Sequence, residues 1–561
     1  MQHDFKFPVS YTEKKMSLDT HIIEDLELIK LNSSNDGERH KYVDDDSVYG
    51  KLFKPDNILS RMALVEMVKE YSYDKQFLRD TQKIIKKYNS PRNLIDFDLV
   101  YKEWNDIKNT KNFKDHYIYY NWKLIEGLNN NETSLQFLTI YTIASPLFSL
   151  LSPIFMLLVP FLIVKLRGLS LTFSEYYKIL IGMLQNHAIG KTLTNFKSSD
   201  VNQKVYLLFS VFFYFFSIYQ NIMVCLRFMK NIKKIHDSLF LMRDYLDTTI
   251  TKMDKFMDVI INYKTYIGFY NDVKTHKCVL QEFLTQLKRI EPLKYNYKKI
   301  TKLGNIMKQF YQLYNNENYS KSFLYSFYFV GYINNIEKFS SVKLLSSCKF
   351  GKDTMMKDMF YPPLINKANV KNDISMKKMI ITGPNASGKT TILKSAIINI
   401  ILSQQYGFGC YGAANIKLYK FIHCYLNIPD TSGRDSLFQA EARRCKEIIE
   451  CVNKNKKENH FCIFDELYSG TNPEEAVISA NAFMKYLSLN PRVDCLLTTH
   501  YVKLCELLKS CIKNYKMETL ETNDNFKYTY KLVEGISRVK GGLKILNDMN
   551  YPEEIIKMSQ M

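Results

Sequence analysis

One run, Thr382-Gly383-Pro384-Asn385-Ala386-Ser387-Gly388-Lys389-Thr390-Thr391, constrains this chain more than any other. Its spacing, G-x-x-x-x-G-K-[ST], is that of a Walker A phosphate loop. Such a turn aims backbone N–H groups at a polyphosphate, sends Lys389 to the β- and γ-phosphates and offers the Thr390 hydroxyl to a magnesium ion. The flanks agree: Lys378-Met379-Ile380-Ile381 reads as a short buried strand, and Ile392 to Leu402 repeats apolar residues as a helix does.

A second element separates nucleotide hydrolysis from nucleotide binding. Phe461-Cys462-Ile463-Phe464 is an apolar strand ending in Asp465-Glu466. That order puts Asp465 on the metal and Glu466 beside an attacking water. Further on, Cys495-Leu496-Leu497-Thr498-Thr499-His500 is another short strand, and His500 at its end is placed to sense the γ-phosphate or help position the water. Taken singly, Asp-Glu is a solvated strand end and His500 a loop histidine; after a phosphate loop, in this order, they read as one site.

These elements together resemble the MutS-type branch of the ABC-like ATPases. The resemblance runs from Tyr361-Pro362 and Asn372-Asp373 through the phosphate loop, where Asn385 is typical of that family, to Phe464-Asp465-Glu466-Leu467, Ser469-Gly470-Thr471-Asn472 and Thr498-Thr499-His500-Tyr501. It continues into Tyr530-Lys531-Leu532-Val533-Glu534-Gly535, Gly541-Gly542-Leu543-Lys544-Ile545-Leu546 and Tyr551-Pro552-Glu553-Glu554-Ile555-Ile556, and so covers Phe360 to Ile556. It implies an α/β C-terminal P-loop ATPase domain that binds and hydrolyses ATP with Mg2+. Gly383, Pro384, Asn385, Ala386, Ser387, Gly388, Lys389, Thr390 and Thr391 would hold the nucleotide, and Thr390 and Asp465 the metal. Lys389, Glu466 and His500 would act on the γ-phosphate and water.

The resemblance also implies pairing, in a homodimer or with a related MutS-like subunit, each nucleotide being closed off by a serine from the opposite subunit. Here that segment reads Asp435-Ser436-Leu437-Phe438-Gln439-Ala440-Glu441, with Ser436 the candidate and a plain helix cap the alternative. Where the family usually has an arginine, this chain has Ser469. MutS mismatch sensors carry a separate N-terminal domain with a Phe-x-Glu wedge. No such domain precedes Asp44, and Phe173-Ser174-Glu175 fits only the letters. Direct mismatch readout by this chain alone is therefore not expected, whereas an ATP-gated DNA clamp remains open.

The 561 residues are too many for one core. The reading divides them into an N-terminal helical region (1–132), two apolar segments (133–226), long lever helices (227–345) and the ATPase domain (346–561). The formal charge of +20 suits nucleic acid or an anionic membrane, although a Lys- and Asn-rich codon pool also yields it. The 11 cysteines show no C-x-x-C pair and no cysteine–histidine cluster at zinc spacing, so reduced thiols in an intracellular compartment are expected. Met1 to Ser10 lacks the apolar run of a secretory signal.

From Phe137 to Val164 there is no charged residue, a run of roughly 28 positions that would cross a hydrocarbon core of about 30 Å. Val205 to Leu226 is a second uncharged run, closed by Arg227, Lys230, Lys233 and Lys234. The pair reads as a transmembrane hairpin with the ATPase domain on the cytosolic side, or else as two buried helices of a large helical core. Pro146, Pro153 and Pro160 predict a kinked or broken first segment. Beyond it, Ile232, Ile235, Leu239, Met242, Leu246, Ile250, Met253, Met257 and Ile260 step by three and four, as along a lever helix packed over its length. Its expected partner is a helix around Val279 to Ile290 or Phe323 to Leu345. Asp44 to Asn89 faintly resembles the start of the MutS helical core. Two functions from different classes follow: an ATP-gated DNA-binding protein of mismatch repair or related DNA maintenance, and a membrane-anchored mechanochemical ATPase that lacks the mismatch reader.

Overall fold

The computed structural model describes residues 4–31, 42–89, 95–166, 172–186, 201–292, 302–365, 369–426, 436–522 and 525–539, with isolated positions besides. Their contacts divide the chain into two compact units. One consists of Leu99–Thr248 and Val279–Ser322; the other consists of Met1–Asp98, Thr249–Cys278 and Phe323–Met561.

In the first unit, α1 (Glu132–Leu166) and the N-terminal part of α2 (Val201–Ile260) carry the two uncharged runs. The expected break at the prolines does not occur: α1 runs through Pro146, Pro153 and Pro160. A proline at position i leaves the carbonyl of i−4 without its amide donor. Here the preceding serine supplies one, Ser145 Oγ donating to Thr142 O at 2.9 Å and Ser152 Oγ to Ser149 O at 2.9 Å. Hydroxyl replacement of this kind lets a proline-bearing helix continue in an apolar setting.

The two helices pair antiparallel, since Tyr214 Oη donates to Leu150 O at 2.8 Å while Cys225 lies against Ile143 O at 3.7 Å. Both are long and apolar enough to cross a membrane, by length and composition. Their large side chains face outward: Phe137, Leu147, Phe155, Phe209, Phe212 and Phe215 are all exposed. The buried-core alternative is therefore not what this structure shows. Phe173-Ser174-Glu175 opens the helix Phe173–Asn186, where Glu175 accepts from the Thr172 amide and hydroxyl as an ordinary helix start.

Farther along α2 the expected lever pattern holds, because all nine of its apolar positions from Ile232 to Ile260 are buried. In the first unit Lys288, from α3 (Ile267–Leu287) by one residue, pairs with Asp247 at 2.6 Å. In the second unit the ring of Phe256 meets Phe329 and Tyr332 of α4 (Glu317–Ser341) edge-on. Both expected partner segments thus lie against α2.

The second unit is built on a six-stranded sheet of β1 (Lys378–Thr382), β2 (Phe421–Tyr425), β3 (His460–Asp465), β4 (Val493–Thr499), β5 (Lys513–Thr522) and β6 (Asn525–Glu534). The spatial order is β2-β3-β4-β1-β5-β6, parallel except for β6, which returns antiparallel to β5. Strands buried on both faces need continuous apolar runs, and β3 and β4 have them. Phe464, Cys462, Cys495 and Leu497 share one core with Cys445, Ile448 and Val452 of α6 (Leu437–Lys454) and Ala480, Phe483 and Met484 of α7 (Pro473–Ser488). Alternate residues such as Ile463 and Leu496 point to the opposite face, where α5 (Lys389–Tyr406) lies.

Residues 44–89 belong to this same unit rather than standing apart. Two buried glutamines on α5 fasten them. Gln405 Nε2 donates to Val68 O at 3.1 Å and Glu70 O at 3.2 Å, and its carbonyl takes the Tyr49 hydroxyl. Gln404 Nε2 donates to Tyr419 O at 2.8 Å and Ser72 O at 3.2 Å. Replacing Gln405 with Ala should leave these buried carbonyls without donors and lower the stability of the full chain by about 1–3 kcal/mol. Urea unfolding followed by fluorescence checks this, and an unchanged midpoint would show that the carbonyls find other donors.

Candidate functional site at the carboxyl edge of the sheet

In an open parallel sheet, ligands bind beyond the carboxyl ends of the strands, near the point where strand order reverses. Three adjacent strands end together here: Asp465 of β3 is in register with Thr498 of β4, and Thr499 of β4 with Thr382 of β1. The loop from Gly383 to Gly388 leaves β1 and turns directly into α5. Ala386 and Gly388 take left-handed backbone angles, φ 61° and 95°, and a side chain at Gly388 would meet the Tyr530 ring at 3.2 Å. Glycine suits that position on both counts.

Lys389 is buried, with its ammonium donating to Gly383 O at 3.0 Å, Pro384 O at 3.2 Å and Asn385 Oδ1 at 3.4 Å. It also lies 3.7 Å from Glu466. Tyr528 of β6 donates to Asn385 O at 3.0 Å and closes the loop from the other side. Thr390 Oγ1 donates to Asp465 Oδ2 at 2.8 Å, and the Thr498 hydroxyl holds the other Asp465 oxygen. The hydroxyl and carboxylate assigned to a metal are thus neighbours. Thr391 follows on the exposed side of the first turn of α5.

Glu466 has an uncommon left-handed φ of 48°, and its amide donates to Thr498 O at 3.1 Å. Its carboxylate sits 3.7 Å from His500 Nδ1. The adjoining His500 ring, aided by the Lys389 charge and opposed by burial, holds this carboxyl below the usual glutamate range. A carboxylate so held stays ionised to lower pH and is a weaker base than a free glutamate. Lys389, Glu466 and His500, expected to act on phosphate and water, therefore converge with Thr390 and Asp465, expected to hold the metal.

Two observations favour a bound nucleotide. The Ser387 hydroxyl is buried inside the loop without a hydrogen-bond partner among the described residues, which a phosphate oxygen would supply. Beside the loop lies a cavity of about 590 Å³, walled by Phe360, Tyr361, Val370, Met517 and Tyr530, which has the apolar character a base requires. A larger hollow of about 840 Å³ opens at the opposite edge of the sheet among Lys352, Lys377, Arg492 and Lys509, and it contains none of the loop residues.

Ser436 is the N-cap of α6, in a capping box: its hydroxyl accepts from Gln439 N at 3.3 Å while Gln439 Oε1 accepts from Ser436 N at 2.9 Å. Asp435, in the same segment, and the Gly541 to Leu546 run lie outside the described residues. Sequence reading gave no role to Glu441. Buried on α6, its carboxylate takes the Ser469 amide at 3.1 Å, the Ser469 hydroxyl at 2.9 Å and the Gly470 amide at 3.2 Å, fixing the loop after Glu466. The signal was an acidic residue at a buried helical position, legible only once the face of α6 was known.

Because the folded pKa of Glu466 is depressed, the stability it contributes is complete above the ordinary glutamate value of about 4.3 and is lost as the pH falls through the lowered one. Glu466→Gln should flatten that part of the acid-unfolding profile, below about pH 4.3. A profile superimposable on the wild type would mean that His500 and Lys389 do not hold this charge.

Residues 379–561 match the family model for MutS domain V. The DNA mismatch repair protein MutS of Finegoldia magna is 30% identical over 34% of this chain and 22% of its own length. Endonuclease MutS2 of Fusobacterium nucleatum subsp. nucleatum is 33% identical over 32% of this chain and 23% of its own. The DNA mismatch repair protein Msh3 of Dictyostelium discoideum is 29% identical over 32% of this chain and 13% of its own. The match thus spans less than a quarter of the length of each of these relatives.

Proposed function

Since the C-terminal third of the chain belongs to the MutS family, we propose that the protein is an ATPase that binds and hydrolyses Mg-ATP to gate a DNA-binding clamp, in mismatch repair or related DNA maintenance. The observation that carries this reading is the convergence of Lys389, Thr390, Asp465, Glu466 and His500 at the ends of three adjacent strands. Thr390 and Asp465 would hold a magnesium ion, which when bound supplies charge neutralisation to the phosphates. Lys389 would exchange its loop carbonyls for phosphate oxygens, and Ser387 would donate to another. Glu466 would orient the attacking water, with His500 fixing the carboxylate. The apolar cavity beside the loop would take the base.

Pairing of two ATPase domains, in a homodimer or with a related MutS-like subunit, belongs to the same proposal. Ser436 accepts one amide at its cap, and its O–H is still able to donate to the neighbour's γ-phosphate. The helix N-terminus behind it favours that anion. The names "DNA mismatch repair protein" and "Endonuclease" describe the relatives, and the DNA clamp is proposed for this chain by extension from them.

Lys389→Ala should abolish ATP turnover, and undiminished turnover in steady-state phosphate release would overturn the site. Glu466→Gln should slow hydrolysis about a hundredfold or more while nucleotide binding persists, because the water loses its acceptor but the loop stays intact. Loss of ATP binding in that variant would remove Glu466 from the water-orienting role.

A second reading rests on a separate observation, the outward-facing apolar side chains of α1 and the first part of α2. On it the chain is anchored in a membrane through 137–164 and 205–226, with the ATPase domain on the cytosolic side, and the motor acts at a membrane surface. Alkaline extraction should leave the full chain in the membrane pellet and release a version lacking 137–226. Release of the full chain would overturn the anchor and leave the clamp reading alone.

A further inference from the structure

Three side chains far apart in sequence meet under α6: His423 in β2, His460 at the start of β3 and Cys451 in the last turns of α6. Adjacent parallel strands place the two imidazoles on one face, because Phe421 is in register with His460 and His423 with Cys462. Cys451 closes the group from the helix, and the three candidate ligand atoms all lie within 4.8 Å of one another. The sequence shows no zinc pattern because the intervals, 28 and 9 residues, belong to a strand–helix–strand crossover rather than to a compact loop.

We propose that His423, Cys451 and His460 bind one zinc ion, with a solvent molecule in the fourth position. His423 Nε2 and His460 Nδ1 are 3.2 Å apart. Two nitrogens bound to zinc at about 2.0–2.1 Å in tetrahedral array stand about 3.3 Å from each other, so the imidazoles already have the required separation. The outer contact is also in place. His460 Nε2 faces the carbonyl of Asn455 at 3.1 Å, and since a carbonyl only accepts, that nitrogen carries the proton and Nδ1 presents its lone pair to the group.

Without metal, the 3.2 Å contact is a hydrogen bond from His423 to His460. On binding, the His423 proton moves to Nδ1, Cys451 gives its thiol proton to solvent, and two nitrogens and one thiolate sulfur coordinate the ion.

The test uses the untagged full chain, because an affinity tag of histidines would bind the same ions. Extensive dialysis after zinc loading should leave one zinc ion per chain by elemental analysis, and His423→Asn and Cys451→Ser should each lose it. Cys511→Ser, at an exposed cysteine outside the triad, should keep it. Cobalt loading gives a readout that does not depend on any variant folding. A thiolate-to-cobalt charge-transfer band should appear in the wild type, and the oxygen ligands Thr390 and Asp465 cannot produce one. Absence of that band from the wild type, or its survival in Cys451→Ser, would overturn the proposal.

Discussion

A buried ammonium is the constraint around which the sheet unit is arranged. Lys389 sits almost wholly out of water at the first position of α5. A charge so placed must be surrounded by acceptors, and the acceptors it has are the carbonyls of its own loop and the carboxylate at the end of β3. That requirement curls Gly383 to Gly388 back over the helix start. It also draws Glu466 toward the loop, where a left-handed backbone turn and the Thr498 carbonyl hold it. The groups that keep the ammonium satisfied are those a triphosphate would displace or join. The same few contacts therefore answer for the shape of the loop and for its readiness to bind.

The legible parts of this architecture were those in which one physical rule acts alone. β3 and β4 are continuous runs buried on both faces, and cover stops at Asp465-Glu466 after the first and at His500 after the second, Thr498 and Thr499 still being buried. The nine buried positions of α2 follow from helical period. The parts that were not legible depend on meetings between distant segments. Glu441 gains its role only because α6 sets it beside Ser469 and Gly470. The His423–Cys451–His460 group exists only because a crossover returns β3 beside β2. A simple proline rule predicts a kink or break at Pro146 and Pro153, whereas the compensating bonds come from the hydroxyls of Ser145 and Ser152, which lie outside that rule.

The first unit raises a different question of solvation. Burying apolar surface is worth about 25 cal/mol per Å², and the helices carrying Phe148, Phe209, Phe212 and Phe215 leave theirs uncovered. Among the described residues, polar contacts join them through Tyr214, Asn221 and Cys225 on one side and carbonyl or hydroxyl oxygens on the other. In the membrane anchor proposed above, where apolar association gives little drive, such hydrogen bonds would fix the register of the pair.

The two glutamines at the far end of α5 have a mechanical consequence. The helix is 18 residues long, so it is a rod of about 27 Å. One end is the phosphate loop, and the other is bonded to backbone carbonyls between Val68 and Ser72. A rigid rod converts angle into distance: a tilt of about 5° about the loop end moves the far end by about 2 Å. Contacts made by backbone carbonyls cannot slide by that much and survive. Residues 68–72 would then travel with any tilt of the rod, although they lie far from the loop at its other end.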